Sequence, residues 1–151
     1  MAFRIFVDAD VLLDFLLKRS GYQIARRLME WAVKGRVQLF TSPAILRDIA
    51  RELGRAYGPT QAKELLLSLL AVLQVVDAGY ETAVNAVQSK IDNIPGAISY
   101  HTALDHRLDY FITHDTSLLQ VVNSVLPVYT AIDFINRHSI DPERAIRAWQ
   151  E

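Results

Sequence analysis

Two periodicities alternate along this chain. Short runs rich in β-branched and aromatic residues (3–7, 37–40, 73–76, 108–113 and 128–130) read as strands. The stretches between them carry apolar residues at helical spacing. The first run, FRIFV, is apolar except at Arg4, the pattern of a strand buried on both faces of a parallel sheet. Helices are expected over 11–17, where Leu12, Leu13, Leu16 and Leu17 form a stripe, and over 22–34, closed by Gly35. Ser42 and Pro43 open a helix over 44–53, which Gly54 is expected to stop. Further helices are expected over 61–72, 81–90, 97–107 (behind a loop at 92–96), 116–124 and 131–137. A last one, 143–150, takes Ser139 or Asp141 as its cap with Pro142.

Strands that alternate with helices predict an α/β protein, a mainly parallel sheet with helices on both faces, in a single domain over 1–151. Right-handed crossovers then bring the carboxyl ends of the strands to one rim, where open α/β sheets bind their ligands. The polar residues expected on that rim are Asp8, Thr41, Ser42, Asp77, His114 and Asp115. If the first and fourth strands are neighbours, Asp8 and Asp115 come within reach of one metal ion. The run of leucines at 65, 66, 67, 69 and 70 is apolar nearly all round its helix. That pattern predicts burial on more than one side, by the core or else by a dimer mate.

Composition narrows the chemistry. The 151 residues are 51% hydrophobic, which excludes a disordered chain. The absence of cysteine excludes thiolate metal sites and disulfides. No apolar run reaches the roughly 20 residues of a membrane span, and the chain enters a strand without a leader pattern, so a cytoplasmic protein is expected. The net charge of −1 conceals an asymmetry: residues 1–63 hold 11 Lys/Arg against 6 Asp/Glu, and residues 64–151 hold 5 against 11. A basic first half is compatible with a polyanionic partner and also with ordinary solvated helices.

The candidate functional groups are carboxylates. Mg²⁺ and Mn²⁺ take oxygen ligands and need only one or two carboxylates directly, with water completing the octahedron. Asp8 and Asp10 after the first strand, Asp115 after the fourth, Asp48 in the second turn of the helix leaving Ser42, and Asp92 or Asp14 nearby could supply them. Each also has a plainer reading. Asp10 and Asp115 stand where helix N-caps are expected, Asp14 suits a position facing solvent or bonding a neighbouring loop, and Asp105 and Asp109 suit the surface. His101, His106, His114 and His138 show no metal-ligand spacing. The pair Asp8-x-Asp10 also suits a phosphoryl acceptor, although the lysine that such chemistry needs after a late strand is absent.

The blocks VDADVLLDFL, TSPAILRDIARELG and GAISYHTALDHRLDYFITHDTSLL resemble, in order, the successive motifs of PIN domains, and VYTAIDFI is similar to the strand and helix that close many of them. The resemblance implies a three-layer α/β/α fold with a five-stranded, mainly parallel sheet. It also implies a ribonuclease dependent on Mg²⁺ or Mn²⁺, of the kind that serves as a VapC-type toxin paired with an antitoxin protein. RNA as substrate and a homodimer are further expectations. On the matching positions Asp8 and Asp115 are the first and fourth acidic residues, and Asp48 stands where the family usually has glutamate. Asp8, Asp48 and Asp115 are then the catalytic set, and Asp8, Asp10, Asp92 and Asp115 the metal set. The third acidic position aligns with Gly96, and Ser117 replaces a further common aspartate. Asp10 and Asp92 are the residues expected to make good that missing charge. If they do not, the alternative is a catalytically impaired PIN-like module that binds RNA or protein.

Overall fold

The computed structural model describes residues 2–139 and 142–150. Five parallel strands, β1 (Phe3–Val7), β2 (Val37–Thr41), β3 (Leu73–Val75), β4 (Tyr110–Ile112) and β5 (Val128–Tyr129), form one sheet in the order β3-β2-β1-β4-β5. The chain builds outward from β1 through β2 to β3, then crosses back to lay β4 on the other edge of β1. The order therefore reverses between β1 and β4, and the point just beyond their carboxyl ends is the switch point at which such sheets form ligand sites.

The helices are α1 (Ala9–Leu16), α2 (Tyr22–Val33), α3 (Pro43–Tyr57), α4 (Pro59–Leu70), α5 (Tyr80–Gln88), α6 (Ile94–Asp105), α7 (Thr116–Leu119), α8 (Ala131–His138) and α9 (Pro142–Gln150). Ile5, Phe6 and Val7 of β1 and Phe111 and Ile112 of β4 are wholly buried, as strands covered on both faces must be. The Phe6 and Phe111 rings stack at 5.1 Å across the β1/β4 pair, under the switch point. Among the described residues, no helix is long and apolar enough to cross a membrane.

Several boundaries differ from those the sequence suggests. α3 runs through Gly54 and ends at Gly58, whose φ of +81° suits the end of a helix. A helical glycine costs about 1 kcal/mol. Continuing past it lets Tyr57 donate a hydrogen bond to the Leu16 carbonyl, 3.3 Å away, beyond the fully buried Leu53. α6 begins before Pro95, because proline in a first turn loses no helical hydrogen bond. α7 stops at Leu119, well short of residue 124. Ser139 ends α8, its hydroxyl donating to the Asn136 carbonyl, and Asp141 lies outside the described residues.

The core takes up only part of the leucine run of α4, with Leu69 inside it and Leu65 and Leu66 packed against it. Ala62 and Leu69 are buried, whereas Leu67 is 69% and Leu70 41% exposed. One face of α4 packs against α3 and β3, and five leucines in six positions spread too far round the helix for that face to cover them.

Candidate active site

The carboxyl ends of β1, β2 and β3, with the first turns of α6, enclose a cleft of about 330 Å³. Asp8 and Ala9 line it from β1, Ser42, Arg47 and Asp48 from α3 and its cap, and Asp77 from the loop after β3. Pro95, Gly96 and Ser99 of α6 form the opposite wall. Asp8 caps α1: its Oδ1 accepts from the Ala9 N–H at 2.9 Å, and its Oδ2 from the Thr113 hydroxyl at 2.8 Å. A backbone bond from the Asp8 N–H to the Ile112 carbonyl, 2.9 Å, ties the same residue to β4. Burial, and then the like charges of Asp10 and Asp115, push the Asp8 carboxyl up to about 6 against the pull of these donors.

Asp115 caps α7. Its Oδ1 accepts from the Ser117 N–H at 2.9 Å and the Ser117 hydroxyl at 2.8 Å, and its Oδ2 accepts from the Asn93 side-chain amide. Burial works to raise its pKa, but the hydrogen bonds from Ser117 and Asn93 outweigh it and hold the carboxyl below its ordinary value. The Thr113 hydroxyl joins the two acids, donating to Asp8 and accepting from the Asp115 N–H at 3.0 Å.

The other candidates are distributed differently. Asp10 lies in the first turn of α1 and turns toward the β4 side, its Oδ2 accepting from the His114 N–H at 3.0 Å and its Oδ1 from the Val11 N–H at 2.7 Å. Burial pushes its carboxyl up as well. Asp14 is largely covered, set against Gly21, where any side chain would collide with it, and 3.3 Å from the His114 ring. Asp48 does line the cleft, but its Oδ1 holds the Arg51 guanidinium at 2.6 Å. Asp92 is exposed and lines a separate cleft with Lys90, Tyr100 and His101. The structure therefore brings Asp8, Asp48 and Asp77 to one cleft, with Asp115 and Asp10 in charge contact with Asp8, and it does not bring Asp92 there.

Sequence reasoning placed Asp77 on the rim without assigning it to the site, and it passed over Thr113 and Asn93. Thr113 follows a strand whose side chains alternate, so its inward position was open to inference. Asn93 gave no signal beyond its fitness as a cap.

The hydrogen-bond partners of Asp8, Asp10 and Asp115 are backbone amides, hydroxyls and one side-chain amide, none of them charged. Carboxylates without a cationic hydrogen-bond partner, one of them raised by burial and by the like charges beside it, fit a hard cation taken through one or two of them, with water filling the remaining positions. Among the described residues no three carboxylate or imidazole groups gather closely enough to hold an ion between them.

Fold and site together define a parallel α/β protein with an acidic cleft at the switch point of its sheet. The PIN domain family model matches residues 4–117, from β1 into α7, and the chain belongs to that family. No curated protein sequence matches the chain. Among solved structures it is similar to a toxin-antitoxin complex from Klebsiella pneumoniae, at 20% identity and a TM-score of 0.63 over 84% of this chain and 97% of that one. It is also similar to VapBC2 from Rickettsia felis bound to a DNA fragment from its promoter (11% identity, TM-score 0.65, 84% and 98% of the two chains). A third is VapC20 of Mycobacterium tuberculosis, a sarcin-ricin loop cleaving toxin (19% identity, TM-score 0.60, 78% and 96%). At these identities the likeness is one of fold.

Proposed function

We propose that the chain is a ribonuclease dependent on Mg²⁺ or Mn²⁺ and the toxin member of a toxin-antitoxin pair. The observation that carries this reading is the Asp8–Thr113–Asp115 arrangement at the switch point, where a part-buried carboxylate is raised to about 6 by its surroundings with no cationic side chain bonded to it. Membership of the PIN family and the fold shared with the Klebsiella complex and the sarcin-ricin loop cleaving toxin support it.

In this reading Asp8 and Asp115 face the cation, which supplies an activated water and charge neutralisation at the phosphodiester. Asp8 is pinned by the Ala9 N–H and the Thr113 hydroxyl, so its position precedes ligand binding. Asp77 and Asp48 add negative charge along the cleft, and Arg47 on the same wall is placed to take an RNA phosphate. Arg51 and Arg55 of α3 are engaged by Asp48 and Glu52. The exposed Leu67 and Leu70 of α4 supply apolar surface for a protein partner, either the antitoxin or a second copy.

The test is cleavage of single-stranded RNA by the purified chain in Mn²⁺, against EDTA and against Asp8→Asn. Cleavage that requires Mn²⁺ and Asp8 supports the reading, and a folded protein that cleaves no RNA in Mn²⁺ overturns it. A second reading, a catalytically impaired module that binds RNA or protein, is favoured by Gly96 and by the lack, among the described residues, of a three-carboxylate cluster. Binding of RNA that is equally tight in EDTA and in Mn²⁺, without cleavage, would select it.

A further inference from the structure

Asn93 performs two tasks with one side chain. It caps α6, its Oδ1 accepting from the Gly96 N–H at 3.3 Å. The other end of the amide, Nδ2, then faces Asp115 and donates to its Oδ2. The orientation of the amide is chemically determined. Turning it over would set its oxygen against a carboxylate oxygen and its NH₂ against a backbone N–H, so both contacts would become repulsive. With Ser117 holding Oδ1 through two further bonds, both oxygens of Asp115 are fixed from different directions, one from the first turn of α7 and one from the cap of α6.

Gly96 makes room for this. It is buried, and a Cβ placed on it would lie 2.8 Å from Asn93 Nδ2, 3.1 Å from Asn93 Cγ and 3.1 Å from Leu118 Cδ1. Leu118 is fully buried in the core on the other side, and at 2.8 Å a side chain at residue 96 would push on Asn93.

We propose that Asn93 is the positioning residue for Asp115, and that Gly96 is required because it leaves the Asn93 amide its place. The link rests on the reading of Asp115 as a group that faces the bound cation. It adds to that reading a specific device: a neutral donor, fixed by a helix cap, that sets the direction of an acidic ligand 22 residues further along the chain. Removing a group that orients a metal ligand typically weakens metal binding by about 10–100-fold.

Serine caps a helix as well as asparagine does but cannot span to Asp115, so Asn93→Ser separates the two tasks. Mn²⁺ alone, titrated into the folded chain by calorimetry, is expected to bind Asn93→Ser about tenfold or more weakly than wild type while the melting temperature stays nearly level. Gly96→Ala is expected to weaken Mn²⁺ binding in the same direction. A second measurement needs no metal. In EDTA, the side-chain NH₂ of Asn93 should exchange with water more slowly than that of the exposed Asn136 and should shift when Asp115 is changed to Ala. Wild-type Mn²⁺ affinity in Asn93→Ser would overturn the proposal, as would an Asn93 amide indifferent to Asp115→Ala. If the wild-type chain takes up no Mn²⁺, the proposed activity fails, and the amide measurements still decide whether Asn93 holds Asp115.

Discussion

Asp8 and Asp115 follow neighbouring parallel strands and cap the helices after them, yet their surroundings act on the negative charge in opposite directions. Asp8 is part-buried at the end of β1, beside β4, with Asp10 and Asp115 as charged neighbours, and two donors are too few to offset this; its carboxyl rises to about 6. Asp115 is less enclosed and receives three donors, two from Ser117 and one from Asn93, and its carboxyl falls. The same residue type at the same topological place is thus an acid in need of a counter-charge in one case and an anion already satisfied in the other. Position at a strand end selects the residues, and the number of donors around each decides what it can do.

That contrast is most exposed in activity. Asp8→Asn is expected to lower Mn²⁺-dependent RNA cleavage by more than about a hundredfold, because it removes the charge that the site leaves uncompensated. Asp115→Asn keeps part of its hydrogen bonding and is expected to lose less, about ten- to a hundredfold. Equal losses in single-turnover rates would erase the distinction.

Stability without metal should separate the two acids in sign. A carboxylic acid whose folded pKa lies above its unfolded value holds more protons folded than unfolded. Wild-type stability in EDTA should therefore fall as pH rises from about 4 to about 6, by up to about 3 kcal/mol for a rise of this size. Asp8→Asn should flatten that slope and, at pH 7, raise the unfolding free energy in urea by about 1–2 kcal/mol. Asp115, with its pKa lowered, contributes stability above its unfolded pKa and loses it as pH falls through the folded value. Asp115→Asn should consequently lower stability at pH 7 by about 1 kcal/mol. A stabilising Asp115→Asn would contradict the donor count around it.

The smallest effect tests the cleft wall away from both acids. Arg47→Ala should leave the melting temperature nearly unchanged and weaken RNA binding in EDTA, with the slope of log K against log salt reduced by about one. A slope equal to wild type would remove Arg47 from the RNA path.

The strands were legible because a doubly covered parallel sheet writes itself as short, nearly unbroken apolar runs, and Asp8 and Asp115 were legible as the carboxylates closing two of them; the order β3-β2-β1-β4-β5, which makes those two strands neighbours, was not. The direction of a side chain within a helix or loop was not. Asp10 is two residues beyond Asp8, about 200° further round the first turn of α1, which carries it to the His114 side. Asp92 and Asn93 are adjacent, and the requirement for a cap on α6 points Asn93 inward and leaves Asp92 exposed. Gly54 read as a stop because its local cost is visible in the sequence, while the Tyr57–Leu16 contact made beyond it joins residues 41 apart. The exposure of Leu67 and Leu70 follows from how much of α4 its neighbours cover, which the residue pattern of one helix does not contain.

The placement of β1 between β2 and β4 also sets an order of events during synthesis. β1 leaves the ribosome more than 100 residues ahead of residues 110–112, which close its second edge, and the loop carrying Thr113 and Asp115 follows them at once. Until that part of the chain has emerged, Asp8 has no Thr113 hydroxyl to hold it, and the strand beside it remains an open edge. A nascent chain of this protein is therefore without its acidic pair while the residues between β1 and β4 are being made, and the site assembles well after Asp8 has emerged.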